Sequence, residues 1–212
     1  LARGPRFRLE AEMIRDNSLA AGGLLSRKMY GPSVMPLQPD GIWQSTYNTT
    51  KWETSKGEDR YRRGLYTFIK RTTPYPAMTT FDAPSRELCT VRRINTNTPL
   101  QALVTLNDPA FVEAAQGLAR RMVKEGGAGL EARIARGLEW ALIRPAKPQE
   151  IAILKKLYEQ RQAYYSANAE EAMKFATAPL GPLPDGMDAK DLASLTAVAN
   201  VILNLDEFVT RN

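Results

Sequence analysis

The alternation of apolar and polar positions divides the chain into two halves of different character. From Thr98 onward, apolar residues recur three and four positions apart, the spacing of one face of an α-helix. Thr98, Pro99 and Gln101 supply an N-cap, a proline at the first helical position and a capping-box glutamine. Asp108-Pro109 opens a second helix, which runs to about Lys124 and is stopped by Gly126-Gly127. Leu130, Ile134, Leu138 and Leu142 mark a third helix. Pro148 opens a long one with Ile151, Leu154, Tyr158 and Tyr165 on its buried side, and Asn168 begins a short one. After the loop APLGPLPDG, Asp188 and Asp191 cap a final helix carrying Leu192, Leu195, Val198, Ile202 and Leu205.

The first half is less regular. Leu9, Met13, Ala20 and Leu24, widened by Ile14, Ala21 and Leu25, predict a helix within residues 8–25 whose last turn is weakened by Gly22-Gly23. Pro32, Pro36 and Pro39 then rule out a long helix. Trp43, Tyr47 and Trp52 can pin this loop to the body by burying ring area, or present faces on which sugar rings stack. In GLYTFIKRT, Leu65, Thr67 and Ile69 alternate with Tyr66, Phe68 and Lys70, which predicts a β-strand, and LCTVRR predicts a second. The proline-punctuated stretch between them holds one helical turn at residues 83–86. A lone strand pair is marginal in water, so helices must cover it. The expected fold is mainly α: an irregular helical domain with a small two-stranded β element and long proline-rich loops. Residues 1–97 form an N-terminal helix, a long loop and a basic strand-containing block, and residues 98–212 form the helical part. The opening LARGPRFRLEAEMIRDNSLA lacks an initiator Met and the apolar core of a signal peptide, so it reads as the interior of a longer polypeptide.

Composition narrows the chemistry. The hydrophobic fraction of 43% and charged fraction of 25% over 212 residues are those of a globular protein, and no apolar run reaches membrane-spanning length. Histidine is absent, which excludes a histidine-dependent triad and a histidine-ligated metal, and no metal site is expected. The single cysteine, Cys89, allows neither a zinc knuckle nor a haem-attachment CxxCH. Without a histidine partner Cys89 reads as a buried small apolar residue. Residues 58–93 hold eight cations against four anions and so supply most of the net charge of +6. Arg60, Arg62, Arg63, Arg71, Arg92 and Arg93 are the candidate ligand-binding residues, with Trp43 and Trp52. A guanidinium fork suits carboxylate or sulfate oxygens, and equally suits internal Asp or Glu partners. On a strand Arg92 and Arg93 would face opposite sides. Asp82, ahead of Ala83-Pro84, caps a turn with Arg86 as its partner. No pair of carboxylates shows a catalytic spacing, and no nucleic-acid-binding motif is recognisable.

The segments RLEAEMIRD, YGPSVMPLQPDGIW, GEDRYRRGLYTFIKRTTPYPAMTTFDAPSRELCTVRRINTNTPLQALVTLNDPAFVEAA and NVILNLDEFVTRN closely resemble one family. It is the planctomycete secreted-protein domain of unknown function called PSD-one, and the resemblance covers nearly the whole chain. It implies a C-terminal position in large exported proteins, periplasmic or secreted, behind a partner domain of unknown function. A planctomycete-type cytochrome c domain and lectin-like modules often accompany it, which suggests polysaccharide use or electron transfer. No catalytic residues are implied. No cofactor is expected within this chain, and any haem c belongs elsewhere in the full-length protein. The leading expectation is a non-haem C-terminal module that docks on the preceding domain and helps form a site for an anionic or carbohydrate ligand. Its expected partners are that domain and an anionic polysaccharide, not nucleic acid. Two readings compete: part of an oxidoreductase passing electrons to a cytochrome c domain, and a structural scaffold with internally paired arginines.

Overall fold

The computed structural model describes residues 7–43 and 51–211. Its helices are α1 (Ala11–Ala21), α2 (Pro76–Thr80), α3 (Pro99–Asn107), α4 (Pro109–Glu125), α5 (Leu130–Leu142), α6 (Pro148–Ala167), α7 (Ala169–Thr177), α8 (Ala189–Leu203) and α9 (Asp206–Val209). The strands β1 (Phe7–Arg8) and β2 (Thr210–Arg211) pair antiparallel, Phe7 opposite Arg211. The mainly α class is as the pattern predicts. Among the described residues no helix is long and apolar enough to cross a membrane.

The helices α3, α4 and α8 begin where the cap residues predict, because capping is decided within one turn. Asp108 Oδ1 accepts from Ala110 N at 2.9 Å. Asp188 Oδ1 accepts from Lys190 N at 3.0 Å and Asp191 N at 2.9 Å. Each satisfies amides that a helix start leaves without partners. The core forms around α8, whose Leu192, Leu195, Val198 and Ile202 are fully buried against α4, α6 and α7. On α4 the facing residues Ala114, Ala115 and Ala119 are small and leave room for those larger side chains. The end of α1 crosses α4 where two glycines meet. A Cβ on Gly117 would sit 2.8 Å from Gly22 O, and one on Gly22 would sit 2.6 Å from Ala114 O. A second cluster, including Leu9, Ile14, Tyr75, Met78, Phe81 and Phe111, joins α1, α2 and the start of α4.

Four local expectations are corrected. Neither GLYTFIKRT nor LCTVRR forms a strand: Gly64–Tyr66 is a 3-10 turn, and only isolated parallel bridges, Ser26 to Arg62 and Val34 to Thr67, touch this region. The alternation there was real, but Leu65 and Ile69 point to solvent and no second strand supplies a ladder. The small sheet is built from the two ends of the described chain instead. The helical turn expected at residues 83–86 lies earlier, in α2, where Pro76 occupies the first helical position. The buried face of α1 is rotated from the expected stripe: Met13 is 51% exposed, while Ala11, Ile14, Arg15, Ser18 and Leu19 are buried. Polar Arg15 and Ser18 hid that face. Finally, Cys89 is exposed rather than buried, because the segment carrying it leaves the body of the protein.

Candidate functional site

The basic block folds over α1 and meets acids far away in sequence. Arg60 Nη2 lies 2.6 Å from Glu113 Oε1 on α4, and Tyr61 Oη donates to the same oxygen at 2.9 Å. Burial raises the Glu113 carboxyl above its ordinary pKa despite Arg60, and burial beside Glu113 pushes the Tyr61 hydroxyl up to about 12. Arg63 Nε reaches Asp16 Oδ2 on α1 at 3.4 Å. Arg62 turns inward: its Nη1 donates to Pro32 O at 2.9 Å, its Nη2 donates to Tyr30 O, and its guanidinium lies 3.8 Å from the centre of the Tyr66 ring. Beneath them Arg15 donates to the carbonyls of Arg62 at 2.6 Å and Arg60 at 3.0 Å. A cavity of about 10 Å³ bounded by Arg15, Arg60, Tyr75 and Glu113 lies there, scarcely room for a single water. Arg15, Arg60, Arg62 and Arg63 thus brace α1 and α4 against the basic block.

Arg93 is held elsewhere along α1. Its Nη1 and Nη2 donate to both oxygens of Glu12, at 2.6 and 2.9 Å, and Nη1 also lies 2.9 Å from Glu10. The Arg93 hydrogen bonds hold the Glu12 carboxyl below its ordinary pKa. Arg71 and Arg92 are exposed and have no partner among the described residues. The six candidate arginines therefore do not share one cleft. Arg60, Arg62, Arg63 and Arg93 are engaged internally, and Arg71 and Arg92 are left facing solvent.

What does emerge is a loop tied at its neck. Asp82 Oδ2 accepts from Arg8 Nη2 at 2.7 Å and from Thr96 N at 2.8 Å, and Thr96 Oγ1 donates to Asp82 Oδ1 at 2.9 Å. Burial works against ionisation of Asp82, but these donors outweigh it and hold the carboxyl below its ordinary range. The partner of Asp82 is thus Arg8 and not Arg86. Asp82 itself adopts a left-handed φ of 61°, a conformation that Asp tolerates better than most residues. Gln101, in turn, donates to Thr80 O at 3.0 Å. Within residues 83–95, whose Ala83 and Arg93 stay against the body, the stretch 85–92 faces solvent, and Leu88 is 81%, Val91 103% and Ile94 79% exposed. Arg86, Cys89 and Arg92 lie in the same projecting stretch.

Trp43 and Trp52 are brought together. Their ring centres are 5.0 Å apart in an edge-to-face contact, Trp52 stacks on Tyr75 at 5.7 Å, and Lys70 Nζ lies 4.3 Å from the Trp43 ring. Trp52 Nε1 donates to Pro36 O at 2.8 Å. The two indoles line a recess of about 250 Å³ with Gln38, Asp40, Lys51 and Thr54. Trp43 Nε1 and Gln38 Oε1 are buried and have no hydrogen-bond partner among the described residues, a donor and an acceptor left over at one recess. The third aromatic expected in this loop, Tyr47, lies outside the described residues. Among the described residues no group of three or more acids or cysteines could hold a metal.

Sequence reasoning missed Glu12, Arg15, Asp16 and Glu113, the residues that organise the basic block. A signal existed for two of them. Arg15 falls inside the stripe of Ala11, Ile14, Ser18 and Leu19, and Glu113 falls beside Phe111, Ala114 and Ala115. A charge within an apolar stripe marks a buried polar group that must find a partner.

Compared with known proteins, residues 1–158 match the PSD1 family, described as "Protein of unknown function (DUF1553)". No curated protein and no solved structure matches the chain.

Proposed function

We propose that this chain, which belongs to the PSD1 family, is a non-haem docking module of a larger exported protein. The projecting loop of residues 83–95 packs on the preceding domain of the same polypeptide, and the two together bind an anionic or carbohydrate ligand. The observation that carries the reading is the loop itself. Its neck is closed by charge-assisted hydrogen bonds at Asp82 and Arg93, yet it shows Leu88, Val91 and Ile94 to water. A loop so firmly based, with large apolar side chains outward, has the character of an interaction surface. Arg86 and Arg92 beside them offer charges for an acidic rim. Export and the presence of a preceding domain rest on the resemblance of the motif block.

The ligand part of the reading is supported by the tryptophan recess. Indole faces with a neighbouring free donor and acceptor suit a sugar ring, which has apolar faces and hydroxyl edges. Lys51 and Lys70 at the same place suit a carboxylate or sulfate substituent.

Hydrogen exchange on the longer polypeptide and on this chain alone tests the reading. Amides of residues 86–94 are expected to exchange slowly only when the preceding domain is present. Leu88→Asp with Val91→Asp should abolish that protection without lowering the melting temperature of the chain alone, since neither side chain packs on the body. Equal exchange in both proteins overturns docking.

A further inference from the structure

A second concave surface lies away from both features and shares no lining residue with the tryptophan recess. It is an open groove of about 670 Å³ between the end of α1, one face of α4 and the loop joining α7 to α8. That volume falls within the range of roughly 300–1,000 Å³ typical of ligand sites. Four cations, Arg27, Arg120, Arg121 and Lys124, line it against one acid, Glu125.

Two of the four charges, Arg120 and Arg121, are held in place before any ligand arrives. Arg120 Nη2 donates to Gly181 O at 2.6 Å and Pro182 O at 3.0 Å. These acceptors are neutral, so they position the guanidinium without cancelling it. Its Nε is buried with no hydrogen-bond partner among the described residues. Arg121 lies 3.9 Å from the centre of the Trp140 ring and donates to Ala21 O at 3.2 Å. It also holds Glu125, at 3.1 Å, so the one acid of the groove is already engaged. Arg27 and Lys124 have no partner among the described residues. The far wall is equally preset: buried Gln116 donates to Phe175 O and Ala178 O, both at 2.7 Å, and accepts from Leu180 N at 3.0 Å.

The rest of the lining decides the ligand class. Leu24, Leu25, Leu180 and Met187 form an aliphatic wall, and among the described residues no aromatic side chain lines the groove. Sugar rings and unpaired bases are gripped by stacking on aromatic faces, and here there are none. Carboxylates spaced between aliphatic side chains would meet both halves of the lining at once, the way clustered arginines read acidic motifs. We infer that this groove binds an acidic peptide segment of another protein, one in which Asp or Glu alternates with aliphatic residues.

A fluorescein-labelled hexapeptide of alternating Glu and Leu, titrated into the full chain and followed by anisotropy, tests the inference. Saturable binding is expected, weakened by about tenfold or more when Glu is changed to Gln, or Leu to Ser, because both charge and burial contribute. Arg27→Glu with Lys124→Glu should cause a similar loss with an unchanged melting temperature, since neither side chain holds a structural partner. Absence of saturable binding overturns the proposal. So does binding indifferent to Leu→Ser and displaced equally well by an oligouronate, which would make the groove a general anion patch.

Discussion

Arg62→Gln separates a structural arginine from a ligand-binding one. Arg62 is 1% exposed and its two hydrogen bonds go to the carbonyls of Tyr30 and Pro32. Tyr30 has φ 62° and Gly31 has φ 91°, so the guanidinium staples a turn whose backbone is unfavourable for a tyrosine. Charge-assisted hydrogen bonds contribute roughly 1.5–3 kcal/mol each, and a desolvated contact with the Tyr66 ring about 2 kcal/mol. Against this stands the cost of burying the cation, several kcal/mol by general experience. Glutamine recovers that cost but cannot reach both carbonyls, so a net loss of about 2–4 kcal/mol is expected. Urea denaturation measures the loss, and hydrogen exchange should show residues 27–35 opening faster while the rest of the chain is unchanged. Stability within about 0.5 kcal/mol of the parent, the range of ordinary surface substitutions, would refute the structural assignment. Loss of glycan binding at unchanged stability would instead return Arg62 to the role its sequence context suggested.

Asp108 titrates near neutrality: burial raises it from 3.8 to about 6, against its hydrogen bond from Ala110 N. Because the folded-state value is the higher one, the folded form holds this proton more tightly, so the stability that Asp108 contributes is fully present below about pH 4 and is lost as pH rises through 6. Asp108→Asn keeps a capping oxygen and removes the buried charge, so it should stabilise the protein by up to about 3 kcal/mol at pH 8 and hardly at pH 4. Thermal melts across that range check both the sign and the window, and an equal effect at both pH values would contradict it. Gly117→Ala should destabilise by about 1–3 kcal/mol although alanine is the better helix former, because its Cβ would stand 2.8 Å from Gly22 O. A raised melting temperature would show that α1 and α4 can separate freely.

The second half of the fold was legible because its determinants are local. Asp108 and Asp188 cap amides two and three residues away, and the stripes on α4, α5 and α8 repeat within a few turns. Such signals act before any tertiary contact forms, and they determined the helices and the mainly α class. Residues 65–69 alternate as a strand would and yet do not form one. A strand needs a neighbour, and no local pattern states whether one will arrive.

Charge was legible in amount and not in disposition. Counting cations in residues 58–93 found the surplus, but the acids that absorb it lie 47 to 81 residues away: Asp16 for Arg63, Glu113 for Arg60, Glu12 for Arg93. Only the packing of α1 and α4 against the basic block brings them within reach. The groove beside Arg120 is likewise assembled from three separated segments, so no window of sequence contains it. Composition and periodicity are sums over near neighbours and follow from the chain alone. Which charge meets which is a property of distances that exist only after the helices have packed.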